Sequence, residues 1–220
     1  MSNTFRLSSY HGDSVSFQNG LVDEEKFIIM KTPKNGEEGD FLDFMKEQSV
    51  HFVVMMRDFI LSDIEEVNCY WGELLRLPHV SSKFEVEHIR FCDTGSYSLR
   101  WFKFRRRESG EAFHEFGFFY FCKLDRDDVP LDSNDFLSFV TNTTREYREM
   151  KKSKSVCRII VHSDSGAGLA ALYTTIEIGT EDVLCRGRSS EILRAVKKNP
   201  HLRYITRKQM FFAHRALRDL

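Results

Sequence analysis

The sequence holds no CxxC pair. Its five cysteines (Cys69, Cys92, Cys122, Cys157 and Cys185) are widely spaced and odd in number. That argues against a disulfide framework and against a structural zinc site, and sets a reducing compartment inside the cell, cytoplasmic or nuclear, as the expected setting. No apolar run approaches the roughly 18 residues that a membrane span needs. Residues 1–10 are polar and mixed, without the pattern of a signal peptide. Neither sign of charge is in excess, with 32 basic and 33 acidic residues and a net charge of -1. A balanced chain leaves no electrostatic footprint for nucleic acid or a membrane surface. No metal and no cofactor are expected.

What is present is a chain of 220 residues, 41% of them apolar, enough to bury the core of one large domain over 1–220. Its 20 phenylalanines are spread across the expected elements and are read as core packing. Apolar runs predict strands at 26–30, 51–56, 82–92, 98–106 and 113–121. Helices are expected over 41–48 with Asp40 as N-cap, over 134–150 and over 189–198 before Pro200. Residues 151–155 read as a polar linker. Thr206 and Gln209 form a capping-box pattern ahead of a last helix. Arg105, Arg106 and Arg107 precede a Glu108-Ser109-Gly110 turn and read as an exposed hairpin edge, with a docking patch for an acidic partner as the alternative.

The chain is organised around residues 157–171. Ile159, Ile160 and Val161 form a short buried strand, a loop with two glycines follows, and a helix is expected over 167–178. A glycine loop between a strand and a helix can turn its backbone N–H groups inward as an anion cradle. The loop reads His162-Ser163-Asp164-Ser165-Gly166-Ala167-Gly168-Leu169-Ala170-Ala171. It resembles the phosphate-binding loop of the protein tyrosine phosphatases, His-Cys-Ser-Ala-Gly-x-Gly-Arg-Thr-Gly. His162, Gly166 and Gly168 match that pattern. The family's nucleophilic cysteine falls on Ser163, its phosphate-clamping arginine on Leu169, and its hydroxyl residue on Ala170. Asp164 adds a negative charge beside a site built for a dianion. Cys157, six residues before Ser163, is read as a buried core thiol, with a substitute nucleophile as the alternative.

Other segments carry the same resemblance, from about residue 7 to 219. Residues 123–130 fall where the family has its mobile Trp-Pro-Asp loop, and the general acid falls on Arg126, or on Asp125 after a slip of one residue. Asp127 lies in the same charged loop. Thr206, Gln209 and Phe212 match the family's Gln-Thr-x-x-Gln-Tyr-x-Phe segment, whose water-positioning glutamine falls on Ile205. Asn68-Cys69-Tyr70-Trp71-Gly72 resembles another family stretch.

The resemblance implies an α/β fold, a central, highly twisted mixed β-sheet flanked by helices, with a shortened front. A thiolate nucleophile and a guanidinium fork are what this chemistry needs, and Ser163 and Leu169 supply neither. The expectation is therefore a catalytically inactive phosphatase-like domain, not an enzyme, that binds a protein partner of unknown identity as a scaffold or regulatory module. A phosphotyrosine reader without turnover is the alternative, and a serine hydrolase built on His162 and Ser163 is a third reading. The expected binding surfaces are the old active-site face (His162, Ser163, Asp164, Gly166, Gly168, Asp125 and Asp127) and the hairpin of Arg105, Arg106 and Arg107. A homodimer, or a partner, covering the shortened front is also expected.

Overall fold

The runs Phe27–Met30 and Val50–Met56 are buried along their whole length, and Arg158–His162 along all but its first residue. Continuous burial is the mark of parallel strands covered on both faces. A computed structural model describes residues 15–34, 36–56, 82–162, 167–187 and 204–220. Its strands are β1 (Ser16–Gln18), β2 (Phe27–Met30), β3 (Val50–Met56), β4 (Phe84–Asp93), β5 (Tyr97–Arg106), β6 (His114–Phe121) and β7 (Arg158–His162). The helices described are α1 (Glu38–Glu47), α2 (Ser133–Ser153), α3 (Ala167–Arg186) and α4 (Arg207–Arg218). Together the strands make one twisted, seven-stranded mixed sheet in the order β1-β2-β7-β3-β6-β5-β4. β2, β7, β3 and β6 run parallel, and β6, β5 and β4 form an antiparallel meander.

Alternation along the strands divides the core in two. One face of the sheet, with Ile28, Val53, Phe102, Phe116 and Ile160, packs under α1. The other, with Phe52, Val54, Trp101, Phe119 and Val161, packs under α2, α3 and α4. Most of the described phenylalanines are core, as expected, while Phe17, Phe91 and Phe211 are exposed. Phe41, Phe52, Phe104, Phe116 and Phe118 are all fully buried, each stabilising the fold by about 1.5–3 kcal/mol relative to exposure.

Three helix boundaries differ from expectation. α1 starts at Glu38, with Glu37 as N-cap and no side-chain cap, so Asp40 lies inside the first turn. α2 runs through the supposed linker to Ser153, its start capped by Asp132, which accepts from the backbone N–H groups of Asn134 and Asp135. Lys151, in its last turn, bonds Asp23 at 3.0 Å and holds the extension down. α3 continues past residue 178 to Arg186 because the polar Thr180, Glu181 and Asp182 are themselves buried. The helix expected at 189–198 and the 68–72 stretch lie outside the described residues. Among the described residues no helix is long and apolar enough to cross a membrane.

Candidate functional site

The four parallel strands end on one edge of the sheet, at Met30, His162, Met56 and Phe121. In open α/β sheets ligands bind in the crevice outside such carboxyl ends. Three segments converge there: the loop after β6, the start of α3 and the start of α4.

The loop after β6 is shaped by Asp125. Its Oδ1 accepts the backbone N–H groups of Asp127 at 2.8 Å and Val129 at 2.9 Å. Asp128 sits in the left-handed region at φ 56°, and Leu124 bridges to Pro130. α4 opens with the capping box read from the sequence: Thr206 accepts from the Gln209 backbone N–H, and the Gln209 side chain accepts from that of Thr206. The amide of Gln209, 2% exposed, also donates to the carbonyl of Asp128 at 3.0 Å, and Lys208 forms an ion pair with Asp127. At the head of α3, a Cβ on Gly168 would lie 3.0 Å from the Tyr204 carbonyl and 3.2 Å from Gln209 Oε1. A glycine there allows the close approach. Gln209 is thus the joint between all three segments, a role that its capping-box position did not announce.

The structure brings together Asp125, Asp127, Gly168 and the segment of Ile205. His162 is buried at the end of β7, its ring 5.6 Å from that of Phe41. Leu169 packs against the larger core cluster and Ala170 is fully buried. Arg126 is exposed on the loop. Ser163, Asp164 and Gly166 lie outside the described residues. The hairpin arginines sit on the meander instead: Arg105 pairs with Glu85 at 2.7 Å, and Arg106 pairs with Asp43.

Cys157 and Arg158 stand side by side at the amino end of β7. The thiol residue is 3% exposed, and burial pushes it up to about 12 against the pull of Lys151 and Lys26. Arg158 donates to Gln48 O at 2.7 Å, to Glu25 O at 3.2 Å and to the Glu25 carboxylate at 2.8 Å. Thiols react as thiolates, so alkylation has a clear expected order. Iodoacetamide labels the exposed Cys92 and Cys185 far faster than the buried Cys157 in the native protein. Peptide mass spectrometry over time checks this, and equal rates would show that the β7 entrance is open in solution.

The sequence profile of the family described as Protein-tyrosine phosphatase matches residues 10–218. The fold is similar to a solved structure reported as "Structural basis of PTPN18 fingerprint on distinct HER2 tyrosine phosphorylation sites". The TM-score is 0.71 at 17% identity, over 93% of this chain and 71% of that one, a likeness that speaks for the fold. Among curated proteins no match was found.

The expectation of lost chemistry is corrected here. It rested on Ser163 and on Leu169. What overturns it is the cysteine and arginine that the chain retains next to each other: Cys157, just before β7, and Arg158, the first residue of the strand that feeds the glycine loop. The readings as an inactivated phosphatase, a non-catalytic scaffold and a phosphotyrosine reader without turnover go with it. The signal of Arg158 in the sequence is its place next to a cysteine, at the start of the loop strand.

Proposed function

Because the chain belongs to the protein-tyrosine phosphatase family, matched over residues 10–218, we propose that it hydrolyses phosphotyrosine in a protein substrate, with Cys157 as the thiol and Arg158 as its cation. The family match carries this reading, and the Cys–Arg pair names the residues. The thiolate sulfur would bond to phosphorus while the bond from phosphorus to the tyrosyl oxygen breaks, and the phenolate leaves with a proton from water. Water then releases phosphate from the phosphocysteine and restores the thiol. We read 1–220 as one domain, working in the cytoplasm or nucleus on a protein partner.

The surroundings of Cys157 set the expected rate. With the thiol at about 12, only about one molecule in 10⁵ carries a thiolate at neutral pH. Arg158 must also release Glu25 to face a phosphate. Turnover of a phosphotyrosine peptide is therefore expected to be slow at pH 7 and to climb about tenfold per pH unit above it. The test compares the wild-type chain with Cys157→Ser and Ser163→Ala. Loss of activity in Cys157→Ser alone, with a trapped phosphocysteine in the intact mass of the wild type, supports the assignment. Turnover that survives Cys157→Ser would remove Cys157 from the chemistry, and a wild-type chain without turnover at any pH would remove the enzymatic reading.

A further inference from the structure

β4 is the last strand of the sheet order and, at 10 residues, among the longest strands described. Its residues 87–93 are exposed, with Ile89 46% and Phe91 50% accessible. A long edge strand with apolar residues is a template for pairing with another chain. The question is which chain fits it, and the strand's own pattern of faces and charges gives an answer.

The β4–β5 register shifts between His88 and Arg90. Before the shift, Val86 and His88 lie on the α1 face: Val86 packs against that cluster, and His88 lies 5.3 Å from the Phe102 ring. Glu87 therefore points to the other face, where it bonds Lys103 at 2.9 Å. After the shift, Arg90 lies on the α2 face, its guanidinium 4.7 Å from the Trp101 ring. Phe91 then returns to the α1 face, beside Arg100 at 4.8 Å. The bulge thus moves the alternation by one residue. Glu87 and Arg90 come to share one face, and Val86 and Phe91 share the other.

Two copies of one strand can pair antiparallel about a two-fold axis perpendicular to the sheet, which keeps each face on its own side. In a regular strand, residues of odd and even number could not then oppose each other, because they point to opposite faces. The bulge removes that bar for these two pairs. We propose that β4 pairs antiparallel with β4 of a second copy of this chain, with Glu87 opposite Arg90 of the second copy and Val86 opposite its Phe91, each contact made twice. Opposite charges and apolar pairs directly across an antiparallel ladder are the stabilising combinations. The intrachain pairs Glu87–Lys103 and Arg90–Glu146 are solvent-accessible and hold these side chains only weakly, so both remain available to the second copy. This surface is separate from the carboxyl-end crevice and from Cys157.

The test is the solution mass of the full chain, by sedimentation across micromolar to hundreds of micromolar concentrations. The wild type is expected to reach twice the monomer mass. R90E puts like charges opposite each other and is expected to weaken dimerisation at least about tenfold, and the swap E87R/R90E to restore it. F91K, which removes the apolar pair, is a second disrupting variant, and thermal unfolding of each variant checks that the fold is retained. A wild-type chain that stays monomeric overturns the proposal. So does a dimer indifferent to both R90E and F91K, or a swap that fails to restore what R90E breaks. Because mass is the readout, failure here is distinguishable from failure of the proposed hydrolysis.

Discussion

Lys26→Met is expected to remove about 3–5 kcal/mol of folding stability, the range for deleting one partner of a buried ion pair. In a chain of this length that lowers Tm by roughly 10 °C. Lys26 and Glu177 are fully buried. The ammonium donates to Glu177 Oε1 at 2.7 Å and to Glu181 Oε2 at 2.8 Å, and lies 4.2 Å from the Tyr147 ring centroid. Thr144 adds a hydrogen bond to Glu177 at 3.2 Å. This cluster ties the start of β2 to the middle of α3, the helix that begins at the glycine loop. Without the cation, two carboxylates remain together out of water. Burial already holds the Glu177 carboxyl above the usual range, with Glu181 adding to it, despite Lys26 beside it, and removal of Lys26 raises it further. An acid whose folded pKa is raised keeps a proton that the unfolded chain gives up, so stability falls as pH rises through that window. Lys26→Met is therefore expected to be more stable near pH 5 than near pH 8, with a flatter profile for the wild type. Urea unfolding across pH reads both quantities. A loss under about 1 kcal/mol would show that water reaches the cluster. Replacing all three charged residues by leucine or methionine together is expected to recover most of the loss.

This cluster also shows where the sequence stops being legible. Lys26 read as the first residue of a strand, which begins at Phe27, and nothing nearby announced partners 151 and 155 residues away. The same polar residues hid the second half of α3, since Thr180, Glu181 and Asp182 look like a helix end unless their burial is known. Local chemistry, by contrast, was legible. The apolar runs of β2, β3 and β7 and the longer runs of β4 to β6 read as strands and are strands; which of them pair parallel and which antiparallel comes from the structure. The capping box of Thr206 and Gln209 stands where its spacing put it. At the site, order along the chain located the loop after β6, the head of α3 and the head of α4. It did not reveal that Gln209 joins them through the Asp128 carbonyl. The inference of lost chemistry failed in another way. It weighed only the residues aligned on the glycines, and so passed over the arginine beside Cys157.

Acidification from pH 6.5 to about 4 is expected to remove about 2–3 kcal/mol of stability through His114. His51 and His114 sit at the amino ends of β3 and β6, their rings stacked at 4.5 Å with planes 17° apart. Each ring bonds the backbone of the neighbouring strand: His51 Nδ1–H donates to Glu115 O at 2.7 Å, and His114 Nε2–H to Val50 O at 2.6 Å. Burial pushes His114 down to about 4, and His51, Lys154 and Lys46 push in the same direction. Burial also lowers His51, with Lys154 adding to it. Both groups have folded pKa values below their unfolded ones. The unfolded chain therefore takes up protons first, and the stability that the neutral rings contribute is complete above pH 6.5 and is lost as pH falls toward 4. A second protonation would stack two cations in a field to which Lys154 already adds positive charge. Urea unfolding at half-unit pH steps is expected to show this decline in the wild type. His114→Gln, which keeps a side-chain donor for the Val50 carbonyl but cannot take a proton, is expected to start less stable at pH 7 and to lose clearly less on acidification. An unchanged slope in that variant would place the acid sensitivity in the carboxylates instead.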